Sequence, residues 1–143
     1  MRPGRTVQTL STGTDMSTWR RKALEALPEE RKLIESSDNP MALWIELFLI
    51  FEKLVEMNEK EKIREILNYA AWCFSEKSGK IPNDTSTAVA CSFYEVIASH
   101  KKYWPLFREW FFPHEFENIK ACFKYHLNED EFKELEITYY KKA

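Results

Sequence analysis

From Ser17 onward, apolar residues return every three or four positions, the period of amphipathic helices, and long β-branched runs are absent. Trp19, Ala23, Leu24 and Leu27 share one face of a first helix over about Ser17 to Leu27, with Ser17 or Thr18 as its N-cap. Pro28 suits the first turn of a short second helix, whose positive end favours Glu29 and Glu30. That helix fades at Ser36, Ser37 and Asp38. Asn39-Pro40, a cap followed by proline at the first helical position, starts the next one, Pro40 to Met57. It carries two apolar stripes: Trp44, Leu47, Phe48, Phe51, Leu54 and Val55 on one side, and Met41, Ile45, Leu49 and Ile50 on the other. A helix apolar on both sides is expected to be surrounded by others, so this one is predicted to be the central element.

Asn58 is expected to cap the following helix, about Glu59 to Lys77, with Ile63, Ile66, Leu67, Ala70, Cys73 and Phe74 inward. Gly79 ends it, and Ile81-Pro82-Asn83 reads as a loop. Asp84 or Thr85 then caps a helix to about His100. Its small residues Ala88, Ala90, Cys91, Ser92 and Ala98 allow close approach of a neighbour, so it is also predicted to be interior. Pro105 and Pro113 bracket a short helix, and Pro113 begins another with Phe116, Ile119, Phe123 and Leu127 inward. Asn128 caps the last helix, which starts with Glu129, Asp130 and Glu131 and ends near Lys141 and Lys142, as the helix dipole prefers. Phe132, Leu135 and Tyr139 pack it.

The pattern predicts an all-α fold of about seven helices. It is either a compact multi-helix bundle or a short HEAT-like stack of antiparallel helical hairpins. The stack finds mild support in an overlay that matches Leu47 with Phe93, Ile50 with Val96 and Phe51 with Ile97. Residues 1–15 lack apolar periodicity and hold Arg2, Pro3, Gly4, Arg5 and Gly13 among Thr and Ser. They are expected to be a flexible tail, with residues 16–143 as a single helical domain.

Composition narrows the class. A chain of 143 residues, 44% hydrophobic and 15% aromatic, can bury one full core, and only 3 Gly argue against a turn-rich sheet. The formal net charge of -2 shows no basic excess of the kind that grips nucleic acid. Arg20, Arg21 and Lys22, like Lys101 and Lys102, have acids nearby and read as solvated helix faces. The cysteines, Cys73, Cys91 and Cys122, are odd in number, far apart, and on apparent apolar faces, which points to free buried thiols rather than a disulfide framework. No run reaches the roughly 20 apolar residues of a membrane span, and no secretory h-region opens the chain. A cytoplasmic location is therefore expected.

Candidate chemistry is sparse. There is no phosphate-binding Gly-rich loop, G-x-S-x-G, C-x-x-C or H-E-x-x-H, so no catalytic residue, cofactor or metal is assigned. Glu46 is the only polar residue between Met41 and Phe51, on the helix predicted to be central; desolvation there would suit an acid or base, while an ion pair would explain it structurally. Glu95 beside Tyr94 is a second carboxylate, but neither Glu is followed three residues later by the His that bundle metal sites use. Cys122 and His126 share a helix face at a spacing of four, which gives at most half a metal site. A catalytic cysteine with His100 or His126 as base is disfavoured by the apolar setting of the thiols.

Six of the ten residues from Tyr103 to Phe112 are aromatic. They complete the core or, as Tyr103, Trp104, Phe107 and Trp110, supply anchors for a partner protein. Interleaved with Lys101, Lys102 and Arg108, they also offer a weaker case for stacking on single-stranded bases. The segments Ala42–Leu47, Tyr69–Cys73 and Thr87–Glu95 resemble an uncharacterised family of small all-helical bacterial proteins. The resemblance spans about Ser17 to Trp110. It implies a shared centre of Glu46, Trp72, Tyr94 and Glu95, and by analogy with other small acidic helical proteins a bacterial adaptor or toxin-neutralising immunity role.

The expected function is thus a non-catalytic helical module that binds another protein. The alternative is a small-ligand binder or enzyme with an interior carboxylate pocket at Glu46, Trp72, Tyr94 and Glu95. A homodimer is a further expectation, as one way to cover excess aromatic surface.

Overall fold

In a computed structural model describing residues 17–75 and 82–141, every regular element among the described residues is helical. Helix α1 is Thr18–Ala26. A 3-10 turn at Pro28–Glu30 leads into α2, Arg31–Ser36. Helices α3, Pro40–Met57, and α4, Lys60–Phe74, follow. One continuous helix then contains α5, Pro82–Val89, a π-helical turn at Ala90–Tyr94, and α6, Glu95–Ala98. A 3-10 segment, Lys101–Leu106, runs into α7, Phe107–Trp110. Helices α8, Pro113–Lys124, and α9, Glu129–Tyr140, complete the chain. The tail at residues 1–15, the helix stop at Gly79 and Ile81 lie outside the described residues.

Local chemistry sets most helix starts. Asn39 accepts the Ala42 N–H on its side chain at 2.8 Å, with Pro40 at the first position. Asn128 and Glu131 exchange two such bonds, at 2.8 and 2.9 Å, in a full capping box. At α8 the Phe112 ring has no acceptor, so only the Glu115 half forms, its carboxylate accepting the Phe112 N–H at 2.9 Å. Two starts differ from expectation. Pro82 opens α5 rather than sitting in a loop. Asn58 closes α3 instead of capping α4: it takes the left-handed conformation at φ 57°, which an asparagine tolerates better than a branched residue.

Helix α3 packs against α4, α5 and the π turn, α4 against α1, α6 against α8, and α9 against the 3-10 segment and α7. One continuous core results. At its centre, Trp44 stacks on Tyr69 at 5.5 Å between centroids and lies 5.0 Å from Phe93; Phe51 meets Phe93 and Trp110 edge-on at 4.9 and 5.0 Å. Each such ring, buried from water, contributes roughly 1.5–3 kcal/mol.

Polar side chains tie the elements together. The Tyr69 hydroxyl donates to the Trp19 carbonyl at 2.9 Å, and the Tyr139 hydroxyl to the Phe111 carbonyl at 2.6 Å. Arg64 on α4 donates to the Glu109 and Trp110 carbonyls at 2.9 and 3.1 Å, so a cation terminates α7 at its negative end. Arg20, expected on a solvated face, instead donates to the carbonyls of Ile34 and Ser37 and holds α1 on α2.

The expectation that α3 is enclosed on both sides needs correction. Leu43, Trp44, Leu47 and Phe51 are buried, Ile50 is partly buried against the core, and Met41 touches Ser92 of the π turn at 2.6 Å. Of the second stripe, Met41, Ile45 and Leu49 face outward, at 36%, 51% and 48% exposed. Among the described residues, no helix is long and apolar enough to cross a membrane.

Candidate functional site

The aromatic run does not form a surface. Tyr103, Trp104, Phe107 and Trp110 are all at most 3% exposed. Their proposed role as direct partner contacts is therefore corrected: they are core. The cause is the turn made by the 3-10 segment, which folds the rings inward until the Trp104 indole N–H reaches the Ala98 carbonyl at 2.7 Å. Lys101 and Lys102 lie over the Trp104 and Tyr103 rings at 5.4 and 5.3 Å, so the basic residues accompany these rings without leaving them free to stack on a base. Phe112 alone of the run is well exposed.

The four residues expected to converge on one pocket are dispersed. Glu46 is exposed on the outer side of α3, so the desolvation expected of it is absent. Trp72 is half-buried on α4, stacked on Tyr69 at 6.1 Å. Tyr94 is buried among Phe74, Phe93, Phe111 and Phe123. Glu95 reaches the turn after α8, where its carboxylate lies 3.3 Å from His126 Nε2.

That ion pair gathers a polar group beside the π turn. Cys91 and Glu95, four residues apart, lie near Cys122 on α8 and His126 in the turn that follows it. Of the three thiols only Cys73 is buried; Cys91 is exposed and Cys122 intermediate, which corrects their expected burial. The Cys122 thiol is pushed up to about 11 by its partial burial and then by the charges of Glu95 and Cys91. Burial and Glu95 raise Cys91 as well. Neither thiol is thereby activated as a nucleophile. Among the described residues no group of three or more His, Cys, Asp or Glu stands where it would hold a metal ion.

Two surfaces remain for function. The first is the outer side of α3. Met41, Ile45 and Leu49 recur one turn apart, and the charged residues of this helix are Glu46, Glu52, Glu56 and Lys53. Glu52 approaches His100 at 3.7 Å, while Glu46 and Glu56 have no ion pair among the described residues. This face was readable as the second stripe of α3. The neighbouring Glu46, taken as an oddity of a buried helix, marks the side that meets water.

The second is a half-open cleft of about 250 Å³ between α4, the π turn and the first turns of α8. It is lined by Ala71, Phe74, Tyr94, His114, Glu115, Asn118 and Ile119. His114 and Asn118 stand one turn apart on α8, the only trace of this site in the sequence besides Tyr94. Another cleft, at Lys60, Arg64, Glu109 and Trp110, is a weaker candidate because Lys60 pairs with the Glu109 carboxylate and Arg64 already donates to the Glu109 and Trp110 carbonyls. No family model, curated protein or solved structure matches the chain.

Proposed function

We propose that this chain is a non-catalytic interaction module that docks a basic amphipathic helix of another protein on the outer face of α3. The observation that carries the reading is the row Met41, Ile45 and Leu49, one third to one half exposed at successive helical turns. Helix-in-groove recognition uses anchors at this spacing. The row spans about 12 Å at the helical rise, enough for two turns of a partner. It is too short for an obligate interface, which needs roughly 2,000 Å² or more, and suits a transient contact.

Charge selects the partner. Three carboxylates against one lysine on α3 favour a basic helix and steer its approach. A second copy of this chain fits poorly, because a twofold contact through α3 brings the carboxylates Glu46, Glu52 and Glu56 of one helix against those of the other. Neutralisation of a toxin carrying such a helix is the form of this role that the family resemblance implies.

The test is titration of the 15N-labelled chain with a designed Leu/Lys amphipathic helical peptide. Amide shifts confined to α3, weakened by salt and abolished by Ile45→Asp, are expected. Shifts elsewhere, no shifts, or self-association through α3 detected by light scattering would each refute the proposal.

A further inference from the structure

We infer that Cys91 of the π turn and Cys122 of α8 are a redox pair, closed into an intrachain disulfide by a low-molecular-weight disulfide such as oxidised glutathione. The inference starts from how the two segments meet. Both the π turn and α6 pack on α8. Cys91 precedes Glu95 by four residues, and Cys122 precedes His126 by four. The Glu95 carboxylate lies 3.3 Å from His126 Nε2, so the later members of the two pairs touch. The ring of Tyr94, next to Glu95, lies 6.2 Å from that of Phe123, next to Cys122. A step back along both segments brings Cys91 toward Cys122, and the Cys122 thiol feels the charge of Cys91 as well as that of Glu95. Cys73 takes no part, because it is buried on α4 beside Trp44 and Tyr69.

Exposure sets the order of the two steps. Cys91 is exposed and Cys122 intermediate, so Cys91 meets the oxidant first. Its thiolate attacks one sulfur of the small disulfide; that S–S bond breaks, and the other half leaves as a thiolate that takes up the proton Cys91 lost. The Cys122 thiolate then attacks Cys91 Sγ, the mixed disulfide breaks, and the second small thiol departs with the Cys122 proton. Two thiols of the chain are oxidised, and one small disulfide is reduced to two thiols. Glu95 slows this exchange in both directions. Burial and then Glu95 raise both thiols, Cys122 to about 11. Attack slows because the ionised fraction falls faster than nucleophilicity rises, and reduction slows because a thiolate of high pKa is a poor leaving group. The finished bond carries no charge for Glu95 to oppose. It closes a loop of about 30 residues and fastens the π turn to α8, which lifts the thermal midpoint by about 5–10 °C.

The full chain should be incubated at pH 8 in buffers of graded reduced and oxidised glutathione, quenched in acid, alkylated and digested without reduction. Mass spectrometry is expected to find the Cys91 and Cys122 peptides joined, in a monomer whose Cys73 stays a free thiol. The thermal midpoint should rise with the link and fall back with dithiothreitol. Cys91→Ser, at an exposed position, should fold as the wild type does and show neither the link nor the rise. Glu95→Gln should close faster at pH 8, and its rate should level off at a lower pH, a shift of profile that a merely structural carboxylate would not give. The inference is overturned if the folded chain ends with glutathione on Cys91 and Cys122 still free, if the bond joins two chains, or if the link forms only in urea.

Discussion

Trp104 donates its indole N–H to the Ala98 carbonyl at 2.7 Å, and that single bond joins the end of α6 to the 3-10 segment that turns the aromatic run inward. Trp104→Phe keeps most of the apolar contact but strands a buried carbonyl, so a loss of about 1–3 kcal/mol is expected in urea unfolding. Trp104→Ala should cost about 3–5 kcal/mol. If either variant instead keeps full stability and loses a binding partner, the aromatic run is a contact surface after all.

Arg64 makes two separate bonds to the end of α7, to the Glu109 and Trp110 carbonyls. Arg64→Lys retains the charge but reaches only one carbonyl well, since an ammonium lacks the guanidinium fork. Chemical denaturation should place the lysine variant between wild type and Arg64→Met, with the latter down by about 1–3 kcal/mol. Equal stability of all three would mean that α7 does not need this termination.

The three thiols should react with iodoacetamide in a fixed order. Cys91 is exposed and should label first; Cys122, intermediate in exposure and pushed up to about 11, should follow; Cys73, fully buried and pushed up to about 12, should label only on unfolding. Mass spectrometry of quenched time points reads this directly. Labelling of Cys73 at the rate of Cys91 would contradict the packing of α4 in the core.

Alkaline pH should destabilise the fold. Burial lifts Cys73 from 9.0 to about 12, against smaller lowering contacts from Trp44 and Tyr69, and burial also raises Tyr69 and Tyr94 above 10.0. The unfolded chain therefore loses these protons first. Stability from this source is intact below about pH 9 and falls as pH rises toward the folded values. Urea midpoints should be flat from about pH 7 to 9 and then decline, with Cys73→Ala making the decline shallower while Cys122, also pushed up to about 11, keeps its onset near pH 9. An unchanged midpoint at pH 11 would show that water reaches these side chains.

Much of this molecule was legible in the chain because it is encoded within four residues. Asn39-Pro40 and Asn128 to Glu131 announce their helices through side chains that bond to nearby backbone N–H groups, and the structure uses them so. Burial is different, since it depends on which neighbours arrive from far along the chain. The same apolar stripe at Met41, Ile45 and Leu49 is consistent with a covered face or a bare one. Only the placement of α4, α5 and the π turn on the opposite side distinguishes the two. The aromatic run posed the same ambiguity in reverse. The shared centre of Glu46, Trp72, Tyr94 and Glu95 failed because Glu46 is exposed on the outer side of α3, Trp72 stacks on Tyr69, Tyr94 is buried among rings and Glu95 pairs with His126. The Tyr94 cleft was half-readable: the tyrosine was singled out, but its companions His114, Glu115 and Asn118 come from a helix about 20 residues later.

The π turn at Ala90–Tyr94 fixes the phase of a whole helix. Ala88 and Val89 before it, and Phe93 and Tyr94 within it, all lie in the core, so the buried pairs are five residues apart across the turn. From Phe93 and Tyr94 to Ile97 and Ala98, also buried, the interval returns to four. The turn thus absorbs one residue that an α-helical count would reject. Removing one residue between Ala90 and Ser92 would let an ordinary α-helix run through, with the two buried pairs four apart and still on one face, whereas removing one from the α-helical part of the same helix would rotate everything on one side by about 100°. The π turn is thus the place in this helix where evolution can lose one codon without unseating the core, while Phe93 and Tyr94 within it, buried among other rings, leave little room for substitution.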